Sequence, residues 1–266
     1  MHIDLSGRTA IVTGSSQGIG FATALGLART GARTVITGRD TARLEKALRR
    51  ISDDVPGAAA VAVAVAADLS TSEGAETLLA EVPAADILVN NLGIFEPKAF
   101  LDIDDAEWRR YFDVNVLSGI RLSRLYLPAM IERRWGRIVF VSSESALQIP
   151  PEMMHYGMTK TAQLAVARGL AEVCAGSAVT VNSVLPGPTN SEGIAGFVAE
   201  LGAGSGLSLD EQVDEFVREH RPTSLLRRAA TPEEVANLIV YLSSPQASAT
   251  TGAALSVDGG TRRSVV

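Results

Sequence analysis

The chain has 266 residues, of which 46% are hydrophobic and 20% are charged, a balance typical of a globular protein and not of a disordered one. Its formal net charge of -6 excludes the positive surface that non-specific nucleic-acid binding requires, so no nucleic-acid partner is expected. The single cysteine, Cys174, excludes an intramolecular disulfide and a cysteine metal cluster. Its apolar helical surroundings predict a buried thiol.

The N-terminus lacks a basic region followed by an apolar core, and no apolar stretch approaches the roughly 20 residues that cross a bilayer. We therefore expect a cytoplasmic protein with no secretory signal and no membrane partner. The length suits one large α/β domain or two small ones. Because no change in composition marks a boundary and no internal repeat is found, a single domain is expected over residues 1–266.

Strands and helices alternate along the chain. Strands are predicted where Val and Ile are concentrated, at 8–13, 33–37, 60–66, 85–90, 136–142, 178–184 and 253–257. Helical periodicity indicates helices near 18–30, 41–52, 72–81, 105–132, 156–175 and 232–243. Unbroken apolar strands separated by helices predict a parallel sheet covered on both faces. The expected fold is therefore α/β, a doubly wound, Rossmann-like parallel sheet of about seven strands.

The segment at about 188–225 interrupts this alternation. It contains a glycine-rich stretch at 202–206 and an acidic amphipathic stretch at 209–220. Connections this long and irregular are often active-site lids, and a substrate lid is predicted here. A subunit contact and a small local core are the alternatives. All three would use the same apolar residues, which are Ile194, Phe197, Val198, Leu201 and Phe216.

The first predicted strand leads directly into the sequence TGSSQGIG, with glycines at positions 14, 18 and 20. Glycine permits a tight turn and lets the backbone approach a diphosphate. The helix that follows offers free N–H groups and its positive dipole end. A glycine-rich turn is weak alone, but here a strand precedes it and a helix follows it. The turn therefore predicts a dinucleotide-binding site.

The second predicted strand ends in TGRD at 37–40, where dinucleotide-binding folds commonly place an acid that accepts hydrogen bonds from the ribose. Arg39 instead offers a fork of donors that matches the 2′-phosphate of NADP. Two observations weaken the assignment to NADP: Asp40 is adjacent, and Gln17 adds no second positive charge. If Arg39 is merely solvated, NAD is the alternative cofactor. NADP is the predicted cofactor.

Further short motifs follow in order along the chain. They are Asp68-Leu69 after the third strand, NNLG at 90–93, Asn115 within DVNV, Ser143 thirteen residues before Tyr156, YGMTK at 156–160, and PGPT at 186–189. Each is weak alone, but their order and spacing are specific. Over essentially its whole length the sequence resembles the short-chain dehydrogenase/reductase family, of the single-domain kind to which 3-oxoacyl-acyl-carrier-protein reductases belong.

The resemblance implies a role for each matching residue. Tyr156 would be the general acid/base, and Lys160 would lower its pKa and hold the nicotinamide ribose. Ser143 would bond the substrate oxygen, and Asn115 would hold a water for proton relay. The implied cofactor-binding residues are Gly14, Ser16, Gln17, Gly18, Ile19, Gly20, Arg39, Asp68, Leu69, Asn91, Gly93, Tyr156, Lys160, Pro186, Gly187 and Thr189.

Tyr156 and Lys160 lie four residues apart on a predicted helix, so their side chains share one face. Reduction of a ketone by hydride transfer creates an alkoxide that needs a proton, and a free phenol has a pKa of about 10. An ammonium group one turn away, joined by the positive charge of the nicotinamide, would lower that pKa in a dry cleft. Without the other motifs, an exposed tyrosine beside a solvated lysine would be the expectation.

The sequence VSSESA offers Ser142, Ser143 and Ser145, any of which could satisfy backbone groups where the strand ends. The spacing from Tyr156 favours Ser143. His155 alternates off the catalytic face, so we expect it at the surface or at a pocket rim.

Two residues depart from the family pattern. Leu92 stands where the family usually has alanine, and slight repacking is expected. Glu144 directly follows the presumed catalytic serine. The simpler interpretation is that Glu144 points into solvent or pairs with an arginine. The sharper hypothesis is that it repels anionic substrates or recognises a cationic or polar group.

The predicted function is hydride transfer between a nicotinamide cofactor and a carbonyl/secondary-alcohol substrate. The alternative is a non-catalytic dinucleotide-sensing regulator, which would not need the four catalytic residues. A nucleotide-sugar epimerase would carry another glycine spacing and a larger C-terminal domain. No metal is expected, because the three histidines, at 2, 155 and 220, lack ligand spacing. The family resemblance implies a homodimer or homotetramer.

Overall fold

The computed structural model describes residues 2–55, 62–194, 198 and 207–264. Seven parallel strands form one sheet in the order β3-β2-β1-β4-β5-β6-β7. They are β1 (Thr9–Val12), β2 (Arg33–Gly38), β3 (Ala62–Ala66), β4 (Ile87–Asn90), β5 (Gly136–Val141), β6 (Val179–Pro186) and β7 (Ala254–Val257). The predicted doubly wound α/β sheet is confirmed. Residues 60 and 61 of the predicted third strand lie outside the described residues.

Helices cover both faces of the sheet. They are α1 (Gly18–Arg29), α2 (Thr41–Asp54), α3 (Ser72–Glu81), α4 (Asp105–Phe112), α5 (Ser118–Glu132), α6 (Met154–Val173), α7 (Leu209–His220) and α8 (Pro232–Leu242). The single helix predicted over 105–132 is wrong, because a π-helical turn at Asp113–Leu117 separates α4 from α5. Such turns shift the side chains that follow them and are frequent at functional sites.

The core has two halves, one on each face of the sheet, because neighbouring strand residues point in opposite directions. Val12 and Ile36 pack on one face with residues of α1, α2 and α8. Ile11 and Val35 pack on the other face with residues of α3, α5 and α6. Cys174 is buried in this second half, as predicted.

The segment at 188–225 forms a small core together with Ala229, which follows it. Val198, Val213, Val217 and Ala229 are buried together, with Ile194 and Phe216 packed against them. This observation supports the local-core alternative for those residues. Phe197, Leu201 and the stretch 202–206 lie outside the described residues, so the lid and the subunit contact stay predictions. Across the described ranges, no helix is both long enough and apolar enough to span a bilayer.

Candidate active site

A cavity of about 790 Å³ opens along the carboxyl ends of the central strands. Chain order reverses there between β1 and β4, and ligands of doubly wound sheets bind at such a point. The cavity brings together most of the residues predicted from the motifs. Those that line it are Gly14, Gln17, Gly18, Ile19, Gly20, Asn91, Gly93, Ser143, Tyr156, Lys160, Pro186, Gly187 and Thr189.

The glycine turn has the geometry that a close ligand requires. Gly14 and Gly18 have φ of +60° and +58°, a region that side chains rarely adopt. A Cβ at Gly20 would lie 2.4 Å from the Gly14 carbonyl oxygen and 2.6 Å from Asn91 Nδ2. Only glycine therefore lets the start of α1 approach β1 this closely. The first residues of α1, Gly18, Ile19 and Gly20, therefore line the cavity.

Thr13 and Asn91 hold the turn in place. Asn91 Nδ2 donates to the carbonyl oxygens of Thr13 at 2.9 Å and Gly14 at 3.1 Å. Thr13 Oγ1 accepts from the backbone N–H groups of Asn91 and Leu92, each at 2.8 Å. The Asn91 amide is therefore used within the protein to tie β4 to the turn. Sequence reasoning included Thr13 in the TGSSQGIG motif but gave it no role, because no local pattern indicates which backbone groups its hydroxyl binds.

At the carboxyl end of β2, Arg39 is exposed, with Nη1 3.8 Å from Asp68 Oδ2. Asp68 accepts from the Ser70 hydroxyl at 2.6 Å, and this bond lowers the pKa of Asp68, with a smaller contribution from Arg39. Asp40 caps α2 by accepting from Arg43 N at 3.1 Å. Asp40 is therefore occupied by the helix end.

Besides Arg39, three other predicted cofactor-binding residues do not line the central cavity. Asp68 lies beside Arg39, and Ser16 lies next to Gly38, where an added Cβ would be 3.8 Å from Ser16 Oγ. Leu69 is buried in the second half of the core, so its side chain packs within the protein. Contact of these residues with adenosine stays a prediction.

Tyr156 lies in the first turn of α6, and Lys160 is one turn further on, as the four-residue spacing predicts. Lys160 Nζ is 5.5 Å from the Tyr156 ring centroid and donates to the Val141 carbonyl oxygen at 2.9 Å. Gly93 lies directly beside the ammonium, since a Cβ there would be in ordinary van der Waals contact with Nζ at 3.5 Å.

The lowering of the Tyr156 pKa by Lys160 together with the nicotinamide stays a prediction, because the protein chain by itself raises this pKa. Burial raises the pKa of Tyr156 above its ordinary 10, and Glu144 raises it further, while a hydrogen bond with Ser143 and the charge of Arg221 act in the opposite direction. Burial also lowers the pKa of Lys160 to about 8. Desolvation disfavours the charged form of both groups and is the largest cause of each shift.

Asn115 lies in the π-helical turn and is buried. Its side chain accepts from Ile94 N at 2.8 Å and donates to Ile94 O and Thr159 Oγ1, each at 3.0 Å. Its backbone oxygen accepts from Gln163 Nε2 at 2.5 Å. The Asn115 side chain therefore ties the loop after β4 to α6. Its predicted role of holding a water stays a prediction.

The segment after β6 forms the opposite wall of the cavity. Gly187 packs against the chain after β7, where a Cβ would meet the Asp258 carbonyl oxygen at 2.7 Å. Thr189 Oγ1 donates to the Gly187 carbonyl oxygen at 3.0 Å, which closes the turn. Pro186 is the last residue of β6. These three residues lie together, as the PGPT motif predicts.

A family model described as "Enoyl-(Acyl carrier protein) reductase" matches residues 14–262. The chain belongs to the short-chain dehydrogenase/reductase family. The "Uncharacterized oxidoreductase YvaG" of Bacillus subtilis (strain 168) is 47% identical, covering 100% of both chains. The 3-oxoacyl-acyl-carrier-protein reductase FabG of Aquifex aeolicus is 33% identical, over 98% of this chain and 99% of the relative.

Solved structures agree with that membership. L-sorbose reductase from Gluconobacter frateurii, complexed with NADPH and L-sorbose, superimposes with a TM-score of 0.90 at 32% identity, covering 100% of both chains. The protein is thus an oxidoreductase of the short-chain dehydrogenase/reductase family, and the prediction of a nicotinamide dinucleotide cofactor is confirmed.

This short-chain dehydrogenase/reductase carries an ion pair beside its presumed catalytic serine. Ser143 Oγ accepts from Ser145 N at 3.1 Å and donates to Glu144 Oε2 at 2.5 Å. Arg221, the residue after α7, donates to Glu144 Oε1 from Nε at 3.1 Å. The prediction that Glu144 pairs with an arginine is confirmed, and its exposure to solvent is wrong, because the residue is 4% exposed.

The neighbouring serines differ in their hydrogen-bond partners. Ser142 Oγ donates to the backbone oxygen of Lys160 at 2.8 Å, which ties the end of β5 to α6. All three serines line the cavity, but the hydrogen bond with the Tyr156 side chain is made by Ser143. The choice of Ser143 among the three serines is therefore supported by position.

A second acid of this short-chain dehydrogenase/reductase lies at the glycine turn. Glu192 Oε2 accepts from the backbone N–H of Gly18 at 2.9 Å. A negatively charged oxygen thus lies where the start of α1 favours an anion. Sequence reasoning missed Glu192, since the two residues are 174 positions apart and share no local pattern.

His155 was expected at the surface or at a pocket rim, and this prediction is wrong. Its ring is fully buried, 4.0 Å from the Tyr111 ring centroid and 6.1 Å from that of Trp108. Neither ring nitrogen has a hydrogen-bond partner within the described part of the chain. Burial lowers the pKa of His155 below its ordinary 6.5, so the ring is neutral at pH 7. No group of three metal-ligating side chains occurs among the described residues.

Proposed function

We propose that the protein transfers a hydride between NADP(H) and a carbonyl/secondary-alcohol substrate, with Tyr156 as the general acid/base. One observation carries this proposal. The glycine turn and the side chains of Tyr156, Lys160 and Ser143 line a single cavity. A site that only sensed the dinucleotide would need the turn but not a phenol, an ammonium group and a hydroxyl at its other end.

The residues at the start of the cavity fit a dinucleotide. The cradle at Gly20 that a Cβ would fill offers space to a diphosphate. The N–H of Gly18, which donates to Glu192 in this structure, would become its donor once that carboxylate is displaced. Arg39 supports NADP over NAD, because its exposed guanidinium matches a 2′-phosphate. Asp40, the acid that favoured NAD, is occupied as the cap of α2. The NADPH bound in the L-sorbose reductase structure also supports NADP as the cofactor.

Each catalytic side chain has a defined task in this proposal. The cofactor, when bound, supplies or accepts the hydride. Tyr156, whose pKa is raised, is a neutral phenol at pH 7 and donates its proton to the oxygen of the ketone as that oxygen becomes negative. Lys160 holds the nicotinamide ribose, and its charge stabilises the phenolate that remains. Oxidation of an alcohol requires the reverse proton transfer, in which the Tyr156 phenolate accepts the proton.

The test is a panel of ketones and secondary alcohols followed at the nicotinamide absorbance with NADP(H) and NAD(H). Tyr156→Phe should lower kcat by roughly 100- to 10,000-fold, the range for loss of a general acid, while leaving NADPH affinity within a factor of about two. Tyr241→Phe, a remote tyrosine, is the matched control. Turnover that survives in Tyr156→Phe would refute the catalytic role. NADPH binding without turnover of any panel substrate would favour the dinucleotide-sensing alternative.

The remaining predictions concern the protein as a whole. We propose a cytoplasmic homodimer or homotetramer of single-domain subunits, in which the segment at 188–225 covers the substrate. α7 already supports part of this idea, because Arg221 at its end reaches Glu144 in the cavity wall. Size-exclusion chromatography with light scattering tests the assembly, and a monomer would overturn it.

A further inference from the structure

The hydroxyl of Ser143 is already committed to a partner. A serine hydroxyl has one hydrogen, and that of Ser143 is donated to Glu144 Oε2 at 2.5 Å. The other carboxylate oxygen is held by Arg221 Nε at 3.1 Å. The side chains of Glu144 and Arg221 are 5% and 14% exposed, so water contributes little to either partner.

This arrangement conflicts with the simplest mode of substrate binding. Under the proposed function, Ser143 donates to the oxygen of the reacting carbonyl, and one hydrogen cannot serve both acceptors. Turning that hydrogen to the substrate would leave Glu144 Oε2 as a buried carboxylate oxygen without its donor, which is costly. Binding of a plain ketone therefore costs the hydrogen bond between Ser143 and Glu144.

A substrate hydroxyl resolves the conflict. We propose that Glu144 selects substrates with a hydroxyl group on the carbon next to the reacting carbon, that is, α-hydroxy ketones and the corresponding 1,2-diols. The substrate hydroxyl donates to Glu144 Oε2, which releases the Ser143 hydrogen to the reacting oxygen. Ser143 Oγ and Glu144 Oε2 are close enough to meet two oxygens on neighbouring carbons. This inference rests on the proposed function and specifies its substrate class.

The charges around the pair favour a neutral substrate. Arg221 is ion-paired with Glu144, and its Nη1 lies 4.0 Å from Glu152 Oε1. Glu96, Glu152 and Glu192 also line the cavity, so with Glu144 the acids outnumber the lysine and the arginine there. A ketone with a carboxylate group would meet repulsion and find Arg221 already paired. A polyhydroxylated neutral ketone meets acceptors for its hydroxyl hydrogens.

Glu144→Gln reverses the polarity of this contact without changing its size. Because Arg221 only donates, the amide oxygen of the variant must face Arg221, and its NH₂ group then faces Ser143. Ser143 accepts from that NH₂ group and keeps its own hydrogen for the carbonyl. The variant should therefore gain on plain ketones and lose on α-hydroxy ketones. A merely structural role for Glu144 would lower both activities together.

The experiment measures kcat/KM with NADPH for cyclohexanone and 2-hydroxycyclohexanone, or for the best panel ketone and its α-hydroxy derivative. The wild-type protein should prefer the hydroxy ketone by at least about 10-fold, the value of a hydrogen bond to a charged group. Glu144→Gln should reduce that ratio by about 10-fold, whereas Glu132→Gln, on an exposed turn of α5, should leave it unchanged.

The outcomes separate the two proposals. A wild-type ratio near one overturns the inference whether or not the variant folds, and so does an equal ratio in the wild type and Glu144→Gln. In both cases the proposed function stands, because both ketones are reduced. Absence of turnover with every ketone and both cofactors overturns the proposed function itself. A ratio that falls in Glu144→Gln alone supports the inference.

Discussion

Replacement of Glu192 tests whether the protein carries its own competitor for the dinucleotide phosphates. The Glu192 carboxylate accepts from Gly18 N–H at 2.9 Å, at the start of α1. A diphosphate that binds this turn has to displace the carboxylate and then lies close to its negative charge. Glu192→Gln removes the charge, keeps the shape, and leaves a weaker acceptor on the same N–H.

The size of the effect follows from the exposure of Glu192. Two unit charges about 4 Å apart in water repel by about 1 kcal/mol. A charged hydrogen bond exchanged for a neutral one adds to this difference, and screening by salt subtracts from it. We expect a net gain of about 1 kcal/mol, which corresponds to roughly five-fold tighter binding of NADPH.

The assay is calorimetric titration of NADPH into the wild type, Glu192→Gln and the control Glu215→Gln, an exposed acid on α7. Because the Debye length falls from about 10 Å at 0.1 M salt to about 3 Å at 1 M, the advantage of Glu192→Gln should shrink by more than half at high salt. Equal or weaker binding by Glu192→Gln at low salt would refute the reasoning. An equal gain in Glu215→Gln would show a general effect of net charge.

Three further predictions follow from single residues. Arg39→Ala should raise the KM for NADPH by about 10-fold and leave the KM for NADH nearly unchanged, since the lost fork matches only the 2′-phosphate; equal increases would contradict the NADP assignment. Because the pKa of Lys160 is lowered to about 8, kcat/KM in the free enzyme should fall above that pH, and a level profile to pH 9.5 would contradict the need for its charge. The folded-state pKa of His155 lies below the unfolded value of 6.5. As the pH falls through 6.5, the unfolded chain therefore binds this proton before the folded protein does. The unfolding free energy from urea titrations should therefore fall as the pH drops below about 6.5, less steeply in His155→Phe, whereas parallel slopes would exclude His155 as the cause.

Much of the fold could be predicted because its signals are local. The described strands and five of the six predicted helices end within two residues of their predicted bounds, since runs of Val and Ile and a 3.6-residue period need only neighbouring positions. α7 was predicted only as an amphipathic stretch. The exception is the π-helical turn at Asp113–Leu117, where the period continues but the hydrogen bonds do not. The glycine turn and the Tyr156–Lys160 pair could also be predicted from the sequence, because their geometry depends on spacing along the chain.

The amino-acid sequence by itself therefore determined the parallel sheet, the phosphate-binding turn and the helix face that carries Tyr156. Only the tertiary structure decided which residues that are distant in the chain contact each other at the site. Arg221 reaches Glu144 across 77 positions and Glu192 reaches Gly18 across 174, and no periodicity encodes such pairs. Burial likewise set the raised pKa of Tyr156 and the neutral state of His155, because desolvation depends on everything packed around a group and not on its neighbours in the chain.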